Sequence, residues 1–127
     1  MDYLKPSEVV NARGEAGVRK AKVPVLDLLV RGALSGAILG IATSLAITAT
    51  IQTGAPIVGA LIFPGGVGMI VLLGLELVTG SFALLPMAQL ERRVSFAETM
   101  RNWSWVFVGN LAGSLLYAAM LWGAFTM

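Results

Sequence analysis

The chain has 127 residues, of which 57% are hydrophobic and only 13% charged, and its formal net charge is +2. Because about a quarter of the residues of a soluble domain are charged, this composition excludes an ordinary soluble protein and indicates a membrane protein with room for about three helical spans. These spans predict an all-α membrane protein. The absence of cysteine and histidine excludes disulfides, thiolate or imidazole metal sites and histidine-activated nucleophiles, so we expect no metal, cofactor or enzymatic activity.

Residues 1–24 form the first predicted segment, a short amphipathic helix on the cytoplasmic face of the membrane. Ser7 directly follows Pro6 and is a suitable N-cap, whereas Gly14 and Gly17 weaken the helix before Pro24 ends it. A solvated, partly disordered tail is the alternative for this segment.

Residues 25–127 are predicted to form a three-span transmembrane domain, whose first span covers residues 25–50. Asp27 and Arg31 lie four residues apart near its start, where they can pair. Small residues recur at every fourth position and let another helix approach closely; the alternative is a direct pore-lining role. These small residues are Gly32, Gly36, Gly40, Ser44 and Thr48.

The second apolar stretch covers residues 55–90. As one straight helix it would be about 54 Å long, well beyond a hydrocarbon core of about 30 Å, so it must be broken. The natural break is at residues 74–81, between a half-helix that starts at Pro56 and a second one over residues 82–90. The break contains Glu76, the only ionisable side chain between Arg31 and Glu91. A carboxylate in hydrocarbon is costly unless it faces protein or water, so Glu76 indicates a functional interior.

The third span is predicted over residues 102–127. Gly109 and Gly113 offer a second surface for close helix contact, and the amide of Asn110 between them is expected to hydrogen-bond another helix. Four aromatic side chains near the ends of this span are interpreted as interfacial belts: Trp103, Trp105, Tyr117 and Trp122.

Basic residues set the expected orientation in the membrane. They cluster before the first span and between the second and third, and the connection at residues 51–56 has none, so the positive-inside rule puts the N-terminus in the cytoplasm and the C-terminus outside. Because the cluster adjoins a span and alternates with acidic residues, we expect no nucleic-acid partner. We predict a multi-pass protein of the plasma or inner membrane. The basic residues are Lys5, Arg13, Arg19, Lys20, Lys22, Arg31, Arg92, Arg93 and Arg101.

Three segments, residues 5–8, 62–81 and 102–113, resemble the first half of a formate/nitrite transporter. The resemblance implies an aquaporin-like channel, usually a homopentamer, in which each protomer has two inverted three-span repeats and the broken second span lends an irregular loop to the pore. It further implies that the Thr79 hydroxyl faces the central pore site, that Glu76 holds the loop, and that Phe63 and Val67 form the cytoplasmic constriction. Because a carboxylate would repel an anion, we expect Glu76 to accept hydrogen bonds from loop amides rather than to contact the anion. The implied pore loop consists of Glu76, Leu77, Val78, Thr79 and Gly80.

The chain departs from the family in its length and in its lack of histidine. Family members are about twice as long, and their second repeat carries a central histidine that is thought to exchange a proton with the anion. We therefore expect a truncated half of a channel for small monovalent anions such as formate or nitrite. One alternative is a half-sized subunit that works with a partner. The others are a non-conducting structural or regulatory protein that packs with full-length subunits, and a conduit for neutral solutes, which would be expected to carry Asn-Pro-Ala motifs.

Overall fold

The computed structural model describes residues 5–126, and this part of the chain is all helical. The described residues form five helices and no strand, in agreement with the all-α part of the predicted fold class; the three-span, aquaporin-like arrangement stays a prediction. Residues 1–4 of the predicted N-terminal segment and residue 127 of the predicted third span lie outside the described residues. The helices are α1 (Pro6–Ala21), α2 (Val25–Thr53), α3 (Pro56–Leu72), α4 (Val78–Leu90) and α5 (Phe96–Thr126).

Two of these helices are long and apolar enough to cross a membrane. They are α2, with 29 residues, and α5, with 31 residues. The apolar helices α3 and α4 have 17 and 13 residues, which corresponds to about 25 and 20 Å, less than a hydrocarbon core of about 30 Å. That α3 and α4 together form one broken span remains a prediction.

Helix α2 packs against α5 through the glycines that the sequence singled out. A Cβ atom added at Gly36 would overlap the backbone carbonyl of Asn110, and one added at Gly109 would lie 3.0 Å from the Cα atom of Gly32. At this separation side chains are excluded and the two backbones touch, as in small-xxx-small packing. The helix-packing role predicted for these residues is supported by these distances.

The same interface extends along both helices. A Cβ atom at Gly113 would overlap the carbonyl of Ala33, so the backbones remain close one turn beyond Asn110. Gly40 lies instead under the ring of Tyr117, which a Cβ atom there would approach to 2.6 Å. Tyr117 therefore takes part in helix packing in this structure.

A second small face of α2 holds α3, and the sequence analysis did not single it out. A Cβ atom at Gly59 would lie 2.5 Å from the carbonyl oxygen of Ala46, and one at Gly66 would overlap the methyl group of Ala42. Glycines on α3 thus oppose alanines on α2, and α2 lies between α3 and α5.

Helix α1 packs against α4 rather than lying apart as a solvated tail. Gly14 and Gly17, which we expected to weaken α1, are both buried: a Cβ atom at Gly17 would lie 2.5 Å from the carbonyl oxygen of Leu84. A small apolar core fills the space between α1, α4 and the turn after α4. It consists of Ala21, Leu85, Ala88 and Val94, with Val18 against it.

Two helix starts differ from the sequence interpretation because of local capping. Helix α1 begins at Pro6, with Lys5 rather than Ser7 at the N-cap, since proline suits the first helical position and the Glu8 carboxylate accepts the Lys5 backbone N–H at 2.8 Å. Helix α5 begins at Phe96, before the predicted residue 102, because Ser95 and Glu98 form a capping box.

The capping box at the start of α5 is complete. The Glu98 carboxylate accepts the backbone N–H of Ser95 at 2.8 Å, and the Ser95 hydroxyl accepts the N–H of Glu98 at 3.2 Å. The hydrogen bonds from the Ser95 backbone and hydroxyl hold the pKa of Glu98 below its ordinary value of 4.5.

On α5 the ring of Trp103 contacts Phe82 of α4 edge to face, with centroids 4.7 Å apart, so this indole is part of the helix packing.

Candidate functional site

The break between α3 and α4 is shorter than predicted and begins with a glycine turn. Gly74 has a left-handed φ of 64°, the Gly74 N–H donates to the Val71 carbonyl at 3.1 Å and the Leu75 N–H to the Ile70 carbonyl at 3.0 Å. This pattern is a Schellman motif, which favours glycine at its left-handed position and ends α3. The irregular backbone covers residues 73–77 only.

The predicted break at residues 74–81 is therefore wrong at its second end. Val78, Thr79 and Gly80, expected in an irregular pore loop, lie in the first turn of α4, and only Glu76 and Leu77 of the predicted pore-loop residues lie in the break. The helix can start this early because the Val78 N–H, one of the four donors that a helix start leaves free, donates to the side chain of Asn110 at 2.9 Å.

Asn110 joins three parts of the structure with one amide. Its Oδ1 accepts the Val78 N–H, and its Nδ2 lies 2.9 Å from the carbonyl oxygens of Gly32 and Glu76 and 2.8 Å from the hydroxyl oxygen of Ser35. The expectation that Asn110 hydrogen-bonds another helix is confirmed. It also contacts the break, which the sequence did not indicate.

Ser35 is a site residue that the sequence analysis missed. It is fully buried on α2, and its hydroxyl donates to the backbone carbonyl of Glu76. An unpaired carbonyl at membrane depth is costly, so the bonds from Ser35 and Asn110 stabilise the irregular backbone at Glu76. The only indication of its role in the sequence is that it directly precedes Gly36, a member of the small-residue stripe.

The side chain of Glu76 is buried, with 4% of the residue exposed, and its carboxylate forms an ion pair with the Lys20 ammonium of α1. We expected this carboxylate to accept hydrogen bonds from loop amides. Within residues 5–126 its hydrogen-bond partner is Lys20, and no backbone N–H donates to it, so that expectation is wrong. The helix α1 reaches the break because its glycines bring it close to α4, and it supplies the countercharge there.

A large open cavity lies between α1, α3 and the break. Its volume is about 730 Å³, and Thr79 and Gly80 belong to its wall. Three cationic side chains, Arg19, Lys20 and Arg31, line it together with one carboxylate, that of Glu76. We call it the basic cavity. Each of these cations has a carboxylate partner: Lys20 pairs with Glu76, Arg19 with Glu15 at 3.9 Å and Arg31 with Asp27 at 3.7 Å, and neither Glu15 nor Asp27 lines the cavity.

A second cavity of about 390 Å³ lies between α2, α3 and α5 and is mainly apolar. Phe63 lines this cavity but not the basic one, whereas Val67, Leu77 and Thr79 line both cavities. We call it the apolar cavity. Both predicted constriction residues line the apolar cavity, but of the two only Val67 also lines the basic cavity. Val78, Asn110 and Gly36 complete the list of predicted site residues in this wall.

Thr79 combines an exposed position with free donors. Within residues 5–126 its hydroxyl has no hydrogen-bond partner, and the backbone N–H groups of Thr79 and Gly80 have none either. Free N–H groups in the first turn of a helix carry partial positive charge.

The described residues contain no group of three or more acidic, cysteine or histidine residues that could hold a metal.

Comparison of the sequence with known proteins identifies relatives. The family model for the formate/nitrite transporter matches residues 7–127. The uncharacterized transporter YrhG of Bacillus subtilis is 36% identical over 93% of this chain and 47% of its own length. The formate channel FocA of Escherichia coli is 33% identical over 95% and 44%, and the probable formate transporter of Methanothermobacter thermautotrophicus is 31% identical over 94% and 46%. The chain spans about half the length of these relatives. No solved structure matches it significantly.

Proposed function

Because the chain belongs to the formate/nitrite transporter family, we propose that it forms one half of a membrane pathway for small monovalent anions such as formate or nitrite. The single observation that carries this proposal is the arrangement of two cavities, one basic and one apolar, that share Val67, Leu77 and Thr79 in their walls.

The basic cavity is the entrance in this proposal. Arg19 and Arg31 line it, whereas their carboxylate partners Glu15 and Asp27 do not, so the charged groups that face the cavity are mainly cationic and attract anions towards the junction. The carboxylate of Glu76 is paired with Lys20 and does not repel the anion as a free charge would. With the positive-inside rule, this entrance faces the cytoplasm, as does the N-terminus.

The junction between the cavities is the step at which the anion loses water. Val67 and Leu77 offer no hydrogen bonds, so an anion passing them faces a large desolvation cost. The Thr79 hydroxyl and the first N–H groups of α4 lie at the same junction and are the donors that lower this cost. Protonation of the anion to its neutral acid would lower it further.

The opposite wall of this pathway comes from a second three-span unit. Both cavities are open on one side in the described residues, and large apolar side chains such as those of Phe63 and Phe107 are exposed there. A channel made of two such units with a broken span each is the aquaporin-like arrangement that the family resemblance implies, and we propose that the completed protomers assemble into a homopentamer in the plasma or inner membrane.

Uptake of formate and nitrite into proteoliposomes tests the proposal. The chain is reconstituted alone and together with a three-span unit that carries the second repeat of a family member. We expect saturable uptake with the partner and none with the chain alone. Thr79→Val should lower uptake, while the matched change Thr43→Val, on α2 and outside both cavities, should not.

Two results would count against the proposal. Absence of uptake with the partner, although both units assemble, would favour the non-conducting structural role. Robust saturable uptake by the chain alone would overturn its assignment as a half and would require that copies of the same chain complete the pathway.

A further inference from the structure

The C-terminal end of α1 is held by two side chains of α5. A helix leaves its last carbonyl groups without partners in the helix. Here Nδ2 of Asn102 donates to the Lys20 carbonyl at 2.9 Å, and the guanidinium of Arg101 donates to the carbonyls of Ala21 and Val23 at 2.7 and 3.1 Å. These bonds join residues about 80 positions apart in the chain.

The residue that Asn102 holds by its backbone is the same one that pairs with Glu76. Lysine carries a compact charge at the end of a four-carbon side chain, so its ammonium can meet a given carboxylate only while its backbone stays within the reach of that side chain. The Lys20 ammonium must reach a carboxylate in the break, and α1 is linked to that region by packing on α4.

A packing role alone does not account for Asn102. The residue is fully buried, and within residues 5–126 its Oδ1 has no hydrogen-bond partner. A leucine of similar size would fill this place without burying an unpaired oxygen. What only the amide provides is the hydrogen bond to the Lys20 carbonyl.

We propose that Asn102 and Arg101 are positioning residues that fix the end of α1, so that the Lys20 ammonium meets Glu76 in the wall of the basic cavity. Their importance for transport rests on the proposed function, but their action on the ion pair does not. The ion pair is therefore what the test measures.

The test is a double-mutant cycle repeated in different backgrounds. Lys20→Met, Glu76→Gln and the double variant are made in the full chain, and their unfolding in detergent is measured to obtain the coupling between the two side chains. The cycle is repeated with Asn102→Leu and with the control Thr99→Val. Thr99 is also a buried polar residue of α5, but it bonds Gln89 and the Ser95 carbonyl rather than α1.

We expect the coupling between Lys20 and Glu76 to fall to less than half in the Asn102→Leu background and to remain unchanged in the Thr99→Val background. An unchanged coupling with Asn102→Leu would overturn the proposal, even if the variant is less stable. If Asn102→Leu does not fold, Arg101→Gln takes its place, with the same two outcomes. No transport is measured, so the result is independent of whether the chain conducts anions.

Discussion

Replacing Asn110 by leucine perturbs several contacts of the candidate site at once. Leucine has a similar volume but lacks both functions of the amide. The Val78 N–H, which donates to Asn110 Oδ1, loses its acceptor. The Asn110 Nδ2 group is also lost as a donor to the carbonyl oxygens of Gly32 and Glu76 and to the hydroxyl of Ser35.

The expected cost follows from these contacts. A partly buried N–H left without an acceptor costs about 1–3 kcal/mol. The amide nitrogen has only two hydrogens for its three acceptors, so about two further bonds are lost, at about 0.6 kcal/mol each for hydrogen bonds between membrane helices. We therefore expect Asn110→Leu to lower the free energy of unfolding by about 2–4 kcal/mol.

The assay is equilibrium unfolding in mixed detergent and SDS, followed by tryptophan fluorescence. The control is Ser114→Ala, one turn further along α5, which removes one hydrogen bond, from the Ser114 hydroxyl to the Gly36 carbonyl at 3.2 Å. That loss should cost about 0.6 kcal/mol. If Asn110→Leu costs no more than Ser114→Ala, Asn110 does not hold the break.

Three further predictions concern the helices and their ends. Gly36→Ala should destabilise the α2–α5 contact or prevent folding, because its Cβ atom would overlap the Asn110 carbonyl, while Gly68→Ala, with nothing within 4 Å, should be neutral in the same unfolding assay; equal effects would contradict the packing role. Arg92 has a left-handed φ of 56°, so Arg92→Gly should raise the free energy of unfolding by about 0.5–1 kcal/mol, and a loss of stability would refute this reasoning. The hydrogen bond from the Ser95 backbone N–H holds the pKa of Glu98 below 4.5. The stabilisation that this carboxylate gives the folded protein is therefore present above pH 4.5 and is lost as the pH falls through the lowered pKa. Glu98→Gln should remove this acid-induced fall from a plot of melting temperature against pH, and an unchanged plot would contradict the prediction.

The sequence predicted the features that are encoded locally. Apolar run lengths gave the helices, and the excess length of residues 55–90 required a break, which the structure has at residues 73–77. The three glycines of the small-residue stripe, Gly32, Gly36 and Gly40, indicated the face on which α2 meets α5, whereas Thr48 of the same stripe is exposed. The amide of Asn110 in an apolar span required a partner in another helix, and it has one.

The features that the sequence did not reveal depend on contacts between distant residues. Lys20 and Glu76 are 56 positions apart, and Asn102 and the Lys20 carbonyl 82, so no local pattern connects them. The start of α4 at Val78 was missed because its cap is a side chain of α5 rather than a neighbouring serine or aspartate. The glycines of α1 suggested a weak helix, since a glycine that weakens a helix and one that admits another helix look alike in sequence.

The preference of position 79 for an anionic over a cationic thiol reagent is the most direct test of whether anions pass this junction. Thr79→Cys is introduced into the chain, which is reconstituted in proteoliposomes together with the three-span partner unit. Its rates of modification by an anionic and a cationic thiol reagent of similar size are compared, with Gln52→Cys as a control outside both cavities. We predict that the anionic reagent reacts several times faster at position 79 only, and that formate or nitrite slows this reaction. Equal rates for the two reagents, or a faster reaction with the cationic one, would contradict an anion pathway at this junction.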